Sequence, residues 1–303
     1  MPRNLIFLLS RRCLLRCPEC NVHPELDNGE LLSDSSLEKN ITPISRKQIK
    51  GGIIWTGGEP FETPDLLLHG LHLASSYGFF SEILTGGLWH RNADSMLKSL
   101  VPYRDFINIR ISLDGPHLAM IGSEPILNLC TEIMKRGFRL SFTVRTGDPY
   151  SSPELAALKN DLAVLQGRLT PERIPTAHLW HQIPHMTAPA ESPSSPKDSS
   201  GGISPSRKCR LAGKDRVIAW DGHLYACCGL FLFPDNYRLS LDFGSNREIF
   251  EQLRLLGPKE IARRLKIPLP NCSESSESTP CPLCQYLWKH HSTRLRTELF
   301  SAL

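Results

Sequence analysis

Three cysteines in the segment RRCLLRCPECN, Cys13, Cys17 and Cys20, are spaced C-x3-C-x2-C directly after the apolar run NLIFLLS (4–10). The run reads as a strand, so the cysteine loop opens at a strand end. A loop this short can fold three thiolates around one corner of a cube. They would hold three irons of a [4Fe–4S] cluster and leave the fourth iron without a protein ligand. An open iron is a place for chemistry, as an open coordination position is in a catalytic zinc site. A zinc knuckle and three buried thiols are the rival readings of the same spacing. The strand GGIIWTGGEP (51–60) ends in a second unusual turn, Gly57-Gly58-Glu59-Pro60.

The first half of the chain alternates short apolar runs with helical periodicity. Strands are expected at 4–10, 51–60, 81–87, 106–115 and 138–145, with another at 177–183. Helices are expected at 63–77, 91–101, 123–136 and 153–166. Alternation of this kind predicts a parallel α/β sheet. In such sheets chemistry sits beyond the carboxyl ends of the strands. The cysteine loop, Gly57–Pro60, Thr85-Gly86-Gly87 and Ser112-Leu113-Asp114-Gly115 all come after strands, so they should converge on one rim.

CLLRCPEC followed by TGGEP (56–60) resembles the radical S-adenosylmethionine (SAM) superfamily, over about residues 4–145. The resemblance implies a partial (β/α)6 TIM-like barrel. It implies that Cys13, Cys17 and Cys20 hold a [4Fe–4S] cluster whose free iron is chelated by SAM. Gly57, Gly58, Glu59 and Pro60 would meet the SAM amino group. Ser112 and Asp114 would meet the ribose or methionyl part, the alternative being turn chemistry at Asp-Gly-Pro; Arg145, at a strand end, either pairs with the SAM carboxylate or is an exposed arginine. Thr85-Gly86-Gly87 resembles the family's TNG segment with Gly in place of Asn, and Glu19 stands where an aromatic residue is common. The implied activity is reductive SAM cleavage to methionine and a 5′-deoxyadenosyl radical, which removes hydrogen from a substrate. That makes the chain an enzyme, an oxidoreductase or peptide-modifying catalyst, fed by an electron donor such as flavodoxin or ferredoxin.

Cys209, Cys227, Cys228, Cys272, Cys281 and Cys284 form a second group in the last third. Alternating residues around Asp221-Gly222 (217–227) predict a hairpin with a type I′ turn. A helix is expected at 246–265, and a basic helix ends the chain. The C-x12-G-x4-C run from Cys209 through Gly222 to Cys227 resembles the SPASM and twitch modules of radical SAM enzymes. That implies one auxiliary iron–sulfur cluster on Cys209, Cys227, Cys281 and Cys284, with Cys272 as rival ligand; structural zinc is the alternative. The expected organisation is a radical SAM core (1–184), a Pro/Ser/Gly-rich linker or loop (185–206) and a small cysteine-rich hairpin/helix module (207–303).

The substrate is expected to be a peptide or a small molecule being oxidised. The chain begins within a few residues of its first strand, which is consistent with a separate recognition protein for a peptide and equally with a small-molecule substrate. Two other function classes compete: a non-enzymatic zinc-binding scaffold, and a degenerate fold that binds SAM without cleaving it. The net charge of +4 gives no argument for nucleic acid. No run approaches the ~18–20 apolar residues that span a bilayer. Without a secretory signal, ten cysteines point to a reducing, cytoplasmic setting where thiolates serve metal. His90 and His117 read as ordinary histidines at strand ends, and Cys130 as a small core residue.

Overall fold

The computed structural model describes residues 4–17, 20, 30–42, 49, 51–113, 115–146, 153–169, 180–184, 215–225, 243–269 and 281–299. By its internal contacts the chain divides into two units, Met1–His185 with Val217–His223, and Met186–Arg216 with Leu224–Leu303. Val217–His223 therefore groups with the first unit, whereas the sequence pattern assigns it to the C-terminal module.

The first unit is built on six strands: β1 (Leu5–Leu8), β2 (Ile53–Thr56), β3 (Ser81–Thr85), β4 (Ile107–Ser112), β5 (Arg139–Thr146) and β6 (Trp180–Pro184). They lie in chain order and every neighbouring pair is parallel. The fold is thus the expected α/β class. Among the described residues the sheet does not close: β6 ends one side, and β7 (Arg216–Ile218) lies next to β1 on the other.

Each crossover is helical, as parallel strands require. α1 (Asp34–Ile41) links β1 to β2, and α2 (Pro64–Ser76) links β2 to β3. α3 (Ala93–Leu100) precedes β4; α4 (Gly115–Ile121) and α5 (Ser123–Lys135) come after it; α6 (Pro153–Leu169) leads to β6. The sequence pattern finds α2, α3, α5 and α6 but not α1 or α4. α1 is mostly polar and buries only Leu37 and Ile41, and Ser33 caps it by accepting from the Ser36 N–H at 3.2 Å. At α4 the Asp-Gly-Pro turn signal masks a helix that starts at Gly115.

Packing results from strand alternation. On β4, Ile107, Ile109 and Ile111 are buried, while Asn108, Arg110 and Ser112 are half-buried on the opposite face. On β2, Trp55 is fully buried and stacks on Phe7 with ring centroids 5.0 Å apart. It presses against α2 at Gly70, where an added Cβ would lie 2.6 Å from two ring carbons. Cys130 is fully buried in α5, as expected of a core residue, and burial pushes its thiol pKa up.

Two other expectations are corrected. The turn after β7 is not type I′. The Gly222 N–H donates to the Ala219 carbonyl at 2.8 Å, and only Gly222 has positive φ, at 76°, while Asp221 does not. Trp220 and Asp221 therefore occupy the centre of the turn, with Gly222 in the left-handed position that ends a type I turn. In the second unit, the helix expected at 246–265 is two helices, α7 (Phe243–Leu256) and α8 (Pro258–Arg264). Gly257, at φ 81° and ψ 159°, and Pro258 break it. The last helix, α9 (Cys281–Thr297), starts at Cys281, so the C-x2-C pair occupies its first turn.

Replacing Gly70 with Ala gains about 1 kcal/mol of helix propensity. It forces a methyl group into a stacked, buried indole, at a cost of about 1–3 kcal/mol. Gly70→Ala should therefore lower the melting temperature measured by circular dichroism. An unchanged or higher value would contradict this packing.

Candidate active site

The cysteine loop is held by the turn after β2 through backbone hydrogen bonds. The Leu9 N–H donates to the Thr56 carbonyl at 2.8 Å, Gly58 N–H to Ser10 at 2.7 Å and Glu59 N–H to Arg12 at 2.6 Å. The Leu14 N–H donates to Glu62 Oε1 at 2.8 Å. The two loops run so close that side chains are excluded between them. A Cβ on Gly58 would lie 1.8 Å from the Arg12 carbonyl oxygen, and one on Gly57 would lie 2.7 Å from that of Ser10. Gly57 also has φ 131°, a conformation open mainly to glycine. Gly57 and Gly58 thus have a structural reason to be glycine, whatever their carbonyls meet.

Within the loop, Cys13 is buried, Cys17 and Cys20 are half-buried, and Leu14 is exposed. Arg16 takes φ 45°, reversing the chain just before Cys17. The Cys20 N–H donates to the Cys17 carbonyl at 3.0 Å. The Cys13 thiol pKa is pushed up to about 12, first by burial and then by the negative charge of Glu59, with Cys20 and Glu62 adding to it. The Leu15 backbone N–H opposes this by hydrogen bonding to Cys13. Without metal, Cys13 therefore carries its proton at neutral pH, and a metal must displace it.

Glu59 is the centre of a buried polar knot. Its Oε1 accepts from the Phe61 N–H at 3.2 Å and the Thr85 hydroxyl at 2.8 Å. Its Oε2 accepts from the Gly86 N–H at 2.8 Å and lies 2.9 Å from the Thr85 oxygen. Thr85 Oγ1 in turn accepts from the Gly87 N–H at 2.9 Å and from Trp89 Nε1–H at 3.0 Å. Trp89 stacks on Phe61 at 4.1 Å, closing the knot. Burial raises the Glu59 pKa to about 7, and the hydrogen bonds from Thr85, Gly86 and Phe61 work against that rise. The carboxylate and the Thr85 hydroxyl are thus engaged by the chain itself.

Gly86 is where three elements meet. A Cβ there would lie 2.4 Å from Leu15 Cδ1, 3.3 Å from His117 Cδ2 and 3.5 Å from Glu59 Oε2. The space left by the missing side chain is filled by the cysteine loop and by α4. His117 reaches further: its Nε2 lies 3.9 Å from Cys17 Sγ. A second polar group lies on the sheet itself. Arg110 pairs with Glu82 at 2.6 Å, and Asn108 Nδ2 donates to Glu82 at 2.9 Å and to Ser141 at 2.7 Å. Neither group stands out by motif, although the alternating FINIRIS run carries a signal for the second.

Cys13, Cys17, Cys20, Gly57, Gly58, Glu59, Pro60 and Thr85 are thus brought to one rim, and Ser112 ends β4 beside Thr143 of β5. Arg145 is the penultimate residue of β5. Asp114, Glu19, Cys209, Cys227, Cys228 and Cys272 lie outside the described residues, as does the 185–206 segment. Cys281 and Cys284 lie three residues apart on α9. Among the described residues, no three His, Cys, Asp or Glu side chains gather as the ligands of a single metal ion. An iron–sulfur cubane makes a different demand: each thiolate meets its own iron at a separate corner.

No protein-family profile matches the chain, and no curated protein matches it. Among solved structures it is similar to a hexahistidine-tagged anSMEcpe with bound AdoMet. The two share 15% sequence identity over 99% of this chain and 100% of that one, with a TM-score of 0.47. The AdoMet belongs to that protein, and the functional reading of this chain rests on its own residues.

Two outcomes are expected from the geometry. Gly58→Ala should dislodge the cysteine loop, giving a protein that folds but takes up far less iron at the Cys13–Cys20 loop; wild-type iron content would contradict the fit. Glu59 keeps its proton in the native state to about pH 7 but loses it near 4.5 when unfolded. Between these values the native state binds more protons, so the Glu59 contribution to stability falls as pH rises and levels off above the window. Urea midpoints of metal-free protein at pH 5 and pH 7.5 should fall more for wild type than for Glu59→Gln. Equal changes would contradict the assignment.

Proposed function

We propose that this chain is a radical SAM enzyme. One observation carries the reading: Gly57–Glu59 lock by backbone hydrogen bonds onto Ser10–Arg12, so that a C-x3-C-x2-C loop is fixed at the rim of a six-stranded parallel sheet. Donor chemistry supports a cluster there. Cys13, Cys17 and Cys20 offer three sulfurs and no oxygen, which favours iron–sulfur chemistry or zinc. Three thiolates leave one iron of a cubane open. Held by Cys13, Cys17 and Cys20, a cluster with SAM on its open iron would supply one-electron reduction of the sulfonium and, through it, hydrogen abstraction from a substrate.

The chain's residues do the rest. Cys13, Cys17 and Cys20 hold the cluster. Gly57, Gly58, Glu59 and Pro60 shape the turn next to it, where backbone carbonyls can meet the SAM ammonium group. Thr85, Ser112, Asp114 and Arg145 are proposed to line the SAM site, Thr85 through its backbone because its hydroxyl is committed to Glu59. Holding the reactants in place and keeping water out is the protein's share of such a reaction. The polar face of the sheet, with Arg110, Glu82 and Asn108, suits a polar substrate, a peptide or a small molecule undergoing oxidation. Cys209, Cys227, Cys281 and Cys284, with Cys272 as the rival, are proposed to hold an auxiliary iron–sulfur centre that takes up or relays an electron. Flavodoxin or ferredoxin would feed the first cluster in the cytoplasm, and a separate protein would present a peptide substrate. Among the described residues no helix is long and apolar enough to cross a membrane.

The test is anaerobic reconstitution with iron and sulfide, addition of SAM and a strong reductant, and mass spectrometry for 5′-deoxyadenosine. Wild type should form it, and the Cys13→Ala/Cys17→Ala/Cys20→Ala protein should not. Equal yields from both would overturn the reading, as would zinc in place of iron at this loop.

A further inference from the structure

The Cys17–His117 pair joins residues 100 positions apart, with Sγ and Nε2 at 3.9 Å. His117 is half-buried on α4, the short helix after β4 at the same rim. Its ring edge, at Cδ2, borders the empty side-chain space of Gly86. The imidazole thus has the glycine at its edge and the cysteine sulfur at Nε2. A Cβ at position 86 would meet Leu15 Cδ1 first, at 2.4 Å, and the ring next, at 3.3 Å.

The chemistry of the pair is one-directional once metal is bound. A metal-bound cysteine is a thiolate, so it only accepts. A neutral imidazole carries its proton on one ring nitrogen, and toward a thiolate that nitrogen is Nε2. Hydrogen bonds to cluster sulfurs are among the factors that set an iron–sulfur potential. They strengthen as the cluster gains negative charge, because bonds to a charged acceptor are the stronger ones. A donor at Cys17 therefore stabilises the reduced cluster more than the oxidised one, and makes one-electron reduction easier.

We infer, on the basis of the radical SAM reading above, that His117 is a positioning residue for the cluster: its Nε2–H donates to the Cys17 sulfur and raises the reduction potential. This role is separate from holding iron, which falls to the three cysteines. It is also separate from SAM binding, because the contact is to a ligand sulfur.

The experiment uses the full chain, reconstituted without SAM, and an electron-paramagnetic-resonance redox titration. The signal of the N-terminal cluster is the one absent from the Cys13→Ala/Cys17→Ala/Cys20→Ala protein. His117→Leu should keep wild-type iron and sulfide content yet titrate at a lower potential. His117→Gln, which retains an N–H donor, should recover part of the difference. A His117→Leu potential equal to wild type would overturn the inference, as would a His117→Gln protein no different from His117→Leu. If His117→Leu loads no iron, His117→Met, which also fills the place without an N–H donor, is titrated instead and decides in the same way. Wild type with no cluster dependent on these cysteines would overturn the radical SAM reading itself, a result distinct from equal potentials.

Discussion

The site depends on a close approach of two backbones. Leu9–Leu14 and Thr56–Glu62 are joined by four hydrogen bonds with no side chain between them at Gly57 and Gly58. Backbone contact at this distance is available only to glycine, and it transmits position without slack. β1 and β2 are paired parallel from Leu5 with Ile53 to Leu8 with Thr56, so the contact continues the sheet register past the strand ends. The cysteine loop therefore inherits its place from the core. That core is apolar and deeply buried around Phe7 and Trp55.

Glu59 extends the same logic from β2 to β3. A carboxyl group with about 2% exposure is costly unless its oxygens are satisfied. Here the Phe61 and Gly86 N–H groups and the Thr85 hydroxyl satisfy it, and Trp89 and Phe61 shield it. The knot ties three rim segments together: the turn after β2, the turn after β3 and, through Gly86, the neighbourhood of Leu15 and His117. Its negative charge also raises the Cys13 pKa. A cationic metal placed among these groups relieves that repulsion, so metal binding and local stability are linked here.

Much of this was legible in the sequence, for physical reasons that differ by element. The buried strands announced themselves as apolar runs, and α2, α3, α5 and α6 as helical periodicity. α1 was hidden because two apolar residues in eight give almost no period. The break at Gly257-Pro258 was written in the chain, yet apolar spacing continues across it and favoured one helix. The Asp221-Gly222 pair marks a turn in the sequence, but the turn is centred one residue earlier, on Trp220 and Asp221. At the site, the cysteines and the Gly57–Pro60 turn were readable because loop chemistry is local. Glu59's partnership with Thr85, Gly86's crowding and the reach of His117 to Cys17 were not, because each joins residues distant in sequence.

On the proposed reading, the Cys13–Cys17–Cys20 loop holds a cubane with one iron left for SAM. Mössbauer spectra of protein reconstituted with enriched iron, recorded before and after SAM is added, test it most directly. A [4Fe–4S] spectrum is expected in which about one iron in four changes its parameters when SAM binds, with that response lost in the Cys13→Ala/Cys17→Ala/Cys20→Ala protein. A spectrum unmoved by SAM, or a response that survives removal of the three cysteines, would contradict it.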